Sequence, residues 1–245
     1  MALYFAVIDL SVETCKMGDI DLSLSYLHFA SLQSPAGRGH TEDRSVNANQ
    51  ITAEPKLGKP GAGLPSIEWF VARYILLPKL FKTTGKKEAI ESFAKLSEKI
   101  VSLSSNLSPE QFTARRLIPR IRGLEDSSRY WSVAMTLDHL VIVGNLMGEA
   151  AVQLSSGHPN LPTVGTADVK PDPNVDPATA IQSFKDMSEQ FVRKAQAADV
   201  DAFPKLTHPH PWFGPLNAQQ WLAMAVAHQN IHRQQIKEII ARLDT

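Results

Sequence analysis

The chain has 245 residues, 43% of them hydrophobic, and its 25 lysines and arginines balance 25 aspartates and glutamates. That much apolar material fills the core of one ordinary domain with an appendage, and a net charge of zero supplies no field to gather the chain on nucleic acid or anionic lipid. A single cysteine, Cys15, excludes an internal disulfide and a zinc site made of thiolates.

The first residues, Met1 to Ile8, are apolar, but no basic region precedes them and Asp9 ends the run, so they do not read as a secretory signal. No stretch approaches the roughly 20 apolar residues that cross a bilayer, and a cytoplasmic location without membrane contact is expected. From Gln33 to Pro65 the chain collects prolines and glycines among polar residues, a composition that buries too little surface to order itself. Residues 1–65 are therefore expected to be a poorly ordered N-terminal extension, and residues 66–245 the folded domain.

Helical periodicity begins at Ser66. Ile67, Phe70, Val71, Tyr74, Leu77 and Leu80 recur at steps of three and four, which predicts a helix packing that stripe on the core, with Pro78 kinking or ending it. A second helix is predicted over about 86–107, with Ile90, Phe93, Leu96, Ile100 and Leu103 on one face. Ser108 and Pro109 then hold the cap and first positions of a short further helix. Arg115, Arg116, Arg120 and Arg122 sit close together, but Pro119 interrupts them and no aromatic ladder is interleaved, so they read as a solvated connection and nucleic acid is not expected as a partner.

A third helix is expected over about 128–154, ended by Gly157. Asp138, Asn145 and Glu149 fall on one narrow stripe of it and nearly everything else is apolar or small, the mark of a mostly buried helix. Glu125 and Asp126, just before it, read as partners for its N-terminal dipole. A fourth helix is predicted over about 178–198, and a fifth from Asn217, where Asn217 and Gln220 have the spacing of a capping box, to about residue 243. Nothing after Ser66 alternates with a period of two for long. The fold class is all-α, a four-helix bundle with an extra N-terminal helix.

His228 and His232 stand one turn apart on the last helix, on the side of Trp221, Met224, Gln235 and Ile239 and opposite Gln219, Asn230 and Lys237. Two inward imidazoles in successive turns either find separate acceptors or share a cation, for which neutral imidazole is the commonest donor. Gln229 stands where the zinc proteases of His-Glu-x-x-His type carry glutamate, which excludes that mechanism. His139, midway along the buried third helix, completes a set of three by elimination and position. His158, His208 and His210 lie in loops.

Trp131-Ser132-Val133, Leu137-Asp138-His139-Leu140, the last-helix stretch His228 to Gln235, and the tract His210-Pro-Trp-Phe-Gly214-Pro-Leu-Asn217 together resemble the DinB-like metal-binding superfamily over roughly residues 67–243. The resemblance implies a four-helix bundle in which His139, His228 and His232 bind zinc, nickel or a similar ion. It also implies kinship with S-transferases and isomerases that use a low-molecular-weight thiol, and with many members of unknown activity. A three-histidine site leaves a coordination position for water or substrate, as catalytic zinc sites do. The expected function is thus a metal-dependent transferase or hydrolase of a small molecule, with Gln235 and His210 as supporting or substrate contacts. The rival is a non-catalytic protein that binds or senses the metal, and a third reading has no metal at all. A homodimer is expected from the fold alone.

Overall fold

A computed structural model describes residues 54–243, which fall within a unit spanning residues 52–245. The rest of the expected extension lies outside the described residues. In chain order the elements are α1 (Ser66–Val71), a π-helical turn (Ala72–Leu76), α2 (Leu77–Thr83), α3 (Lys86–Ser104), α4 (Pro109–Thr113), β1 (Arg116–Leu117), a 3-10 turn (Asp126–Ser128) and β2 (Tyr130–Trp131). There follow α5 (Val133–Ser156), α6 (Pro177–Ala197), β3 (His208–His210), β4 (Gly214–Leu216) and α7 (Ala218–Ile240).

Four long helices make the bundle: α5 packs on α6 and α7, and α3 closes the ring against both. Their ends follow from local chemistry. Ser132 Oγ caps α5 by accepting the Met135 N–H, Asp176 caps α6 with Pro177 in its first position, and Asn217 and Gln220 form the reciprocal box at the start of α7. A second such box, Ser108 with Gln111, starts α4. Helices α5 and α6 come close because Gly144 faces Met187, where an added Cβ would lie 2.4 Å from the sulfur. Across the ring, Phe93 of α3 stacks on Phe191 of α6 with ring centres 3.8 Å apart. Burying this core supplies the main driving force of folding.

The first helical segment departs from expectation. Leu77 and Leu80 are buried, but Ile67, Phe70 and Tyr74 of the stripe expected to face the core are exposed, Ile67 at 82%. The ring of Pro78 crowds the carbonyl four residues earlier, and the chain widens into the π turn before continuing as α2. One extra residue in a turn rotates the following face by about 100°, so a single stripe cannot stay inward through both halves. Trp69 and Ala72 take the inward positions of the first half, and Trp69 Nε1–H donates to the Trp212 carbonyl at 2.7 Å.

Two short antiparallel ribbons, β1 with β2 and β3 with β4, had no signature in the sequence, since two or three residues cannot display an alternation. Residues 54–65 hold no helix or strand, yet they make defined contacts. Gly61 and Gly63, both with positive φ, donate their N–H groups to Glu125 Oε1 at 2.7 and 3.2 Å, and Gly58 N–H donates to Asp126. The clustered arginines are engaged within the chain. Arg115 pairs with Glu54, Arg120 with Glu68, and Arg116 donates to the Arg242 carbonyl.

Candidate metal centre

Buried side chains of α5 and α7 meet at a wall of the bundle where His139, His228 and His232 converge, with one ring nitrogen of each within 4.8 Å of the others. The spacing of four on α7 stacks His228 and His232, and the packing of α5 on α7 brings His139 against them. His139 and His232 are buried. His228 is half-buried, and all three line a cavity of about 160 Å³.

The hydrogen bonds fix which nitrogens face inward. His139 Nδ1–H donates to the Val169 carbonyl at 2.7 Å, and His232 Nδ1–H donates to Gln235 Oε1 at 2.7 Å. Gln235, fully buried, passes the constraint on by donating to the Ser128 carbonyl at 2.7 Å. In the neutral tautomers so selected, the Nε2 lone pairs of both histidines point at the shared centre. His139 Nε2 and His228 Nε2 stand 3.2 Å apart. Two lone pairs at that distance repel unless a proton or a cation lies between them, and zinc bonds to imidazole of about 2.0 to 2.1 Å are compatible with the separation. The donor set fits a divalent ion, and bonds from the far nitrogens of ligating histidines to carbonyl and amide oxygens are the usual support of such sites.

The electrostatics favour unprotonated imidazoles. Burial pushes His139 down to about 4, partly opposed by its bond to Val169. His228 and His232 are pushed well below the ordinary histidine value, by burial first and then by their neighbouring histidines. Neutral imidazole is the form that binds a metal. Trp131 walls the site, stacked parallel to His232 with ring centres 6.1 Å apart and tilted against His139 at 5.1 Å.

A family model described as the DinB superfamily matches residues 93–236, more than half of the chain. The chain belongs to the DinB superfamily. That superfamily includes metal-binding proteins, and the three histidines of this member lie close enough together to hold an ion. Among solved structures, the one titled as TT2238, a four-helix bundle protein, is 18% identical, covering 62% of this chain and 98% of that one with a TM-score of 0.45. No curated protein matches the chain.

The remaining sequence candidates are divided between the site and its surroundings. Gln235 touches His232. His210, in strand β3, lines the cavity, with its Nδ1 accepting the Trp212 N–H at 3.1 Å. His208 lines the cavity too, and donates to or accepts from nothing at the centre, its Nε2 lying 3.2 Å from the Pro162 carbonyl. His158 is exposed and absent from the cavity wall. The role expected for Glu125 is corrected: α5 begins only at Val133, and Glu125 instead accepts from Lys170, Ser127, Gly61 and Gly63. Burial raises its pKa, but the hydrogen bonds from Ser127 and Lys170 outweigh that and hold it below the ordinary carboxylate value. Asp126, the second carboxylate assigned to the dipole, pairs with Arg129 and accepts the Gly58 N–H. Sequence reasoning missed Lys170 and Val169, which have no distinguishing local pattern in the 158–176 loop.

Proposed function

We propose that this DinB superfamily member is a metal-dependent transferase acting on a small molecule, with a divalent ion such as zinc or nickel held by His139, His228 and His232. The observation that carries this reading is the place of the triad in the wall of a cavity. A purely structural ion is enclosed by its ligands, whereas three imidazoles facing a cavity leave a coordination position toward whatever enters it. An ion bound there supplies Lewis acidity, enough to keep the sulfur of a small thiol as a thiolate at neutral pH. The chain's own residues supply orientation: Val169 and Gln235 hold His139 and His232 in the tautomer that presents Nε2, and Trp131 packs its ring parallel to that of His232.

Transfer from a low-molecular-weight thiol is favoured over hydrolysis because, among the described residues, no carboxylate lining the cavity is free to act as a base. Glu125 lines the wall, but Oε1 is taken by two backbone N–H groups and Oε2 by Lys170 and Ser127. The reading from another class, a protein that binds or senses the metal without catalysis, is disfavoured by the same cavity. The test is to load tag-free protein with zinc or nickel and assay a panel of small thiols with an electrophilic aromatic acceptor, following thiol loss and adduct formation. Adduct formation that needs both metal and thiol supports the proposal. A metal-loaded protein inert with every thiol, but hydrolysing ester or amide substrates, replaces it with the hydrolase.

A further inference from the structure

The cavity lining is of two kinds. Its body is walled by Val143, Leu146, Met147 and Ala150 from α5 and by Leu161 and Val164 from the loop that follows. Its polar lining includes the triad and His210 on the β3–β4 ribbon. The charged pair in the wall is closed on itself: Lys170 Nζ sits 2.9 Å from Glu125 Oε2 and also donates to Ser127 and Ser128. It offers an incoming molecule neither a free cation nor a free acceptor.

His210 is different. The Trp212 N–H occupies its Nδ1, so the proton of the neutral ring is on Nε2, and that N–H has no acceptor among the described residues. The ring is held in place by Phe213 and Trp221, with centres 5.0 and 5.5 Å away. Trp221, which lines the same cavity, carries a second buried N–H without an acceptor. The wall therefore presents an imidazole N–H that has no acceptor, in a lining that is otherwise largely apolar. A ligand that completes this donor carries an oxygen acceptor at one end and apolar substance behind it.

We infer that the cavity takes an acyl compound, an apolar body ending in a carbonyl or carboxylate oxygen, with the Nε2–H of His210 as the donor that reads this oxygen. The inference deepens the proposed function by naming the substrate class of the same site, and it rests on that reading only for the ion at the triad. The donor and the apolar walls belong to the chain itself.

The test is calorimetric titration of the full-length protein, metal-free and zinc-loaded, with acetate, hexanoate, octanoate and octylammonium. Affinity should rise along the acids by up to about fourfold per methylene until the cavity is full, and in the zinc-loaded protein octylammonium should bind at least tenfold more weakly than octanoate. His210→Phe keeps an aromatic ring but loses the N–H, and should weaken octanoate by about tenfold or more while leaving the zinc stoichiometry unchanged. Ala150→Leu should shorten the longest acid accepted without altering the preference for acid over amine. A flat response to chain length, or equal binding of acid and amine by the zinc-loaded protein, overturns the inference from the wild type alone, whatever the folding of the variants. Unchanged octanoate affinity in folded His210→Phe overturns the role of His210. If the protein binds no metal at all, the chain-length series and His210→Phe, measured on the metal-free protein, still decide the acyl inference. If it binds one zinc and the acids do not discriminate, the inference falls and the metal reading stands.

Discussion

Two polar clusters share one cavity wall, and they differ in completeness. In the Glu125 cluster every described donor and acceptor is matched: both carboxylate oxygens, the Lys170 ammonium, two serine hydroxyls and two glycine N–H groups satisfy one another. In the triad the outward nitrogens of His139 and His232 are matched with equal care, while the Nε2 atoms of His139 and His228, 3.2 Å apart, have only each other. Buried polar groups left unmatched cost about 1 to 3 kcal/mol each. The contrast between a cluster satisfied within the chain and an adjacent one open at a single point is what supports the proposed metal site. The first is a fastening, joining the segment before α1, the 3-10 turn and the 158–176 loop.

The largest effect that sharpens this contrast is expected from His228→Ala. Loss of one of three donors should abolish stoichiometric metal binding, seen as metal content after dialysis, with the fold retained by circular dichroism. Glu125→Gln is the matching change in the closed cluster. It leaves the Lys170 ammonium without its carboxylate, and since the Lys170 side chain is 22% exposed, water recovers part of the loss. The expected cost is roughly 2 kcal/mol in denaturant unfolding, with metal stoichiometry kept. Metal loss in Glu125→Gln, with retention in His228→Ala, would invert the comparison.

Gln235→Leu removes the oxygen that orients His232 and should lower metal affinity by about 10- to 100-fold without abolishing it, measured by competition with a chromophoric chelator. The smallest effect concerns pH and the metal-free protein. Burial holds His139 near 4 in the folded state against an ordinary value of 6.5, so between those values the unfolded chain binds more protons than the folded one. Stability from this group is complete above pH 6.5 and is lost progressively as the pH falls to 4, and His139→Leu should flatten that part of the stability profile. A profile that instead rises on acidification would show that the imidazole is stabilised as the cation.

Much of this was written in the sequence, and the parts that were not share a cause. The capping boxes at Ser108 and Asn217 and the spacing of four between His228 and His232 are local patterns, and the bundle preserves them. The stripe on α1 was equally regular, yet Ile67, Phe70 and Tyr74 meet solvent. Periodicity shows which residues share a face and is silent on whether a neighbour covers it. The carbonyl of Val169 and the match of Lys170 to Glu125 are contacts across 30 and 45 residues, made by a backbone atom in one case and an ordinary ion pair in the other. Neither leaves a trace in residue type. His139 lay between these extremes: its place on a buried helix was legible, and the loop carbonyl that sets its tautomer was not.

The central claim is that the open point of the triad is a metal site. It is tested most directly on protein purified without a histidine tag, by measuring metal content and thermal unfolding of one preparation with and without a chelator. An ion that binds only the folded state stabilises it by mass action, so the account predicts one divalent ion per chain and an unfolding midpoint that chelator lowers and zinc or nickel restores. Protein that contains no metal as isolated, takes up none on addition, and unfolds at the same temperature with chelator present would contradict it.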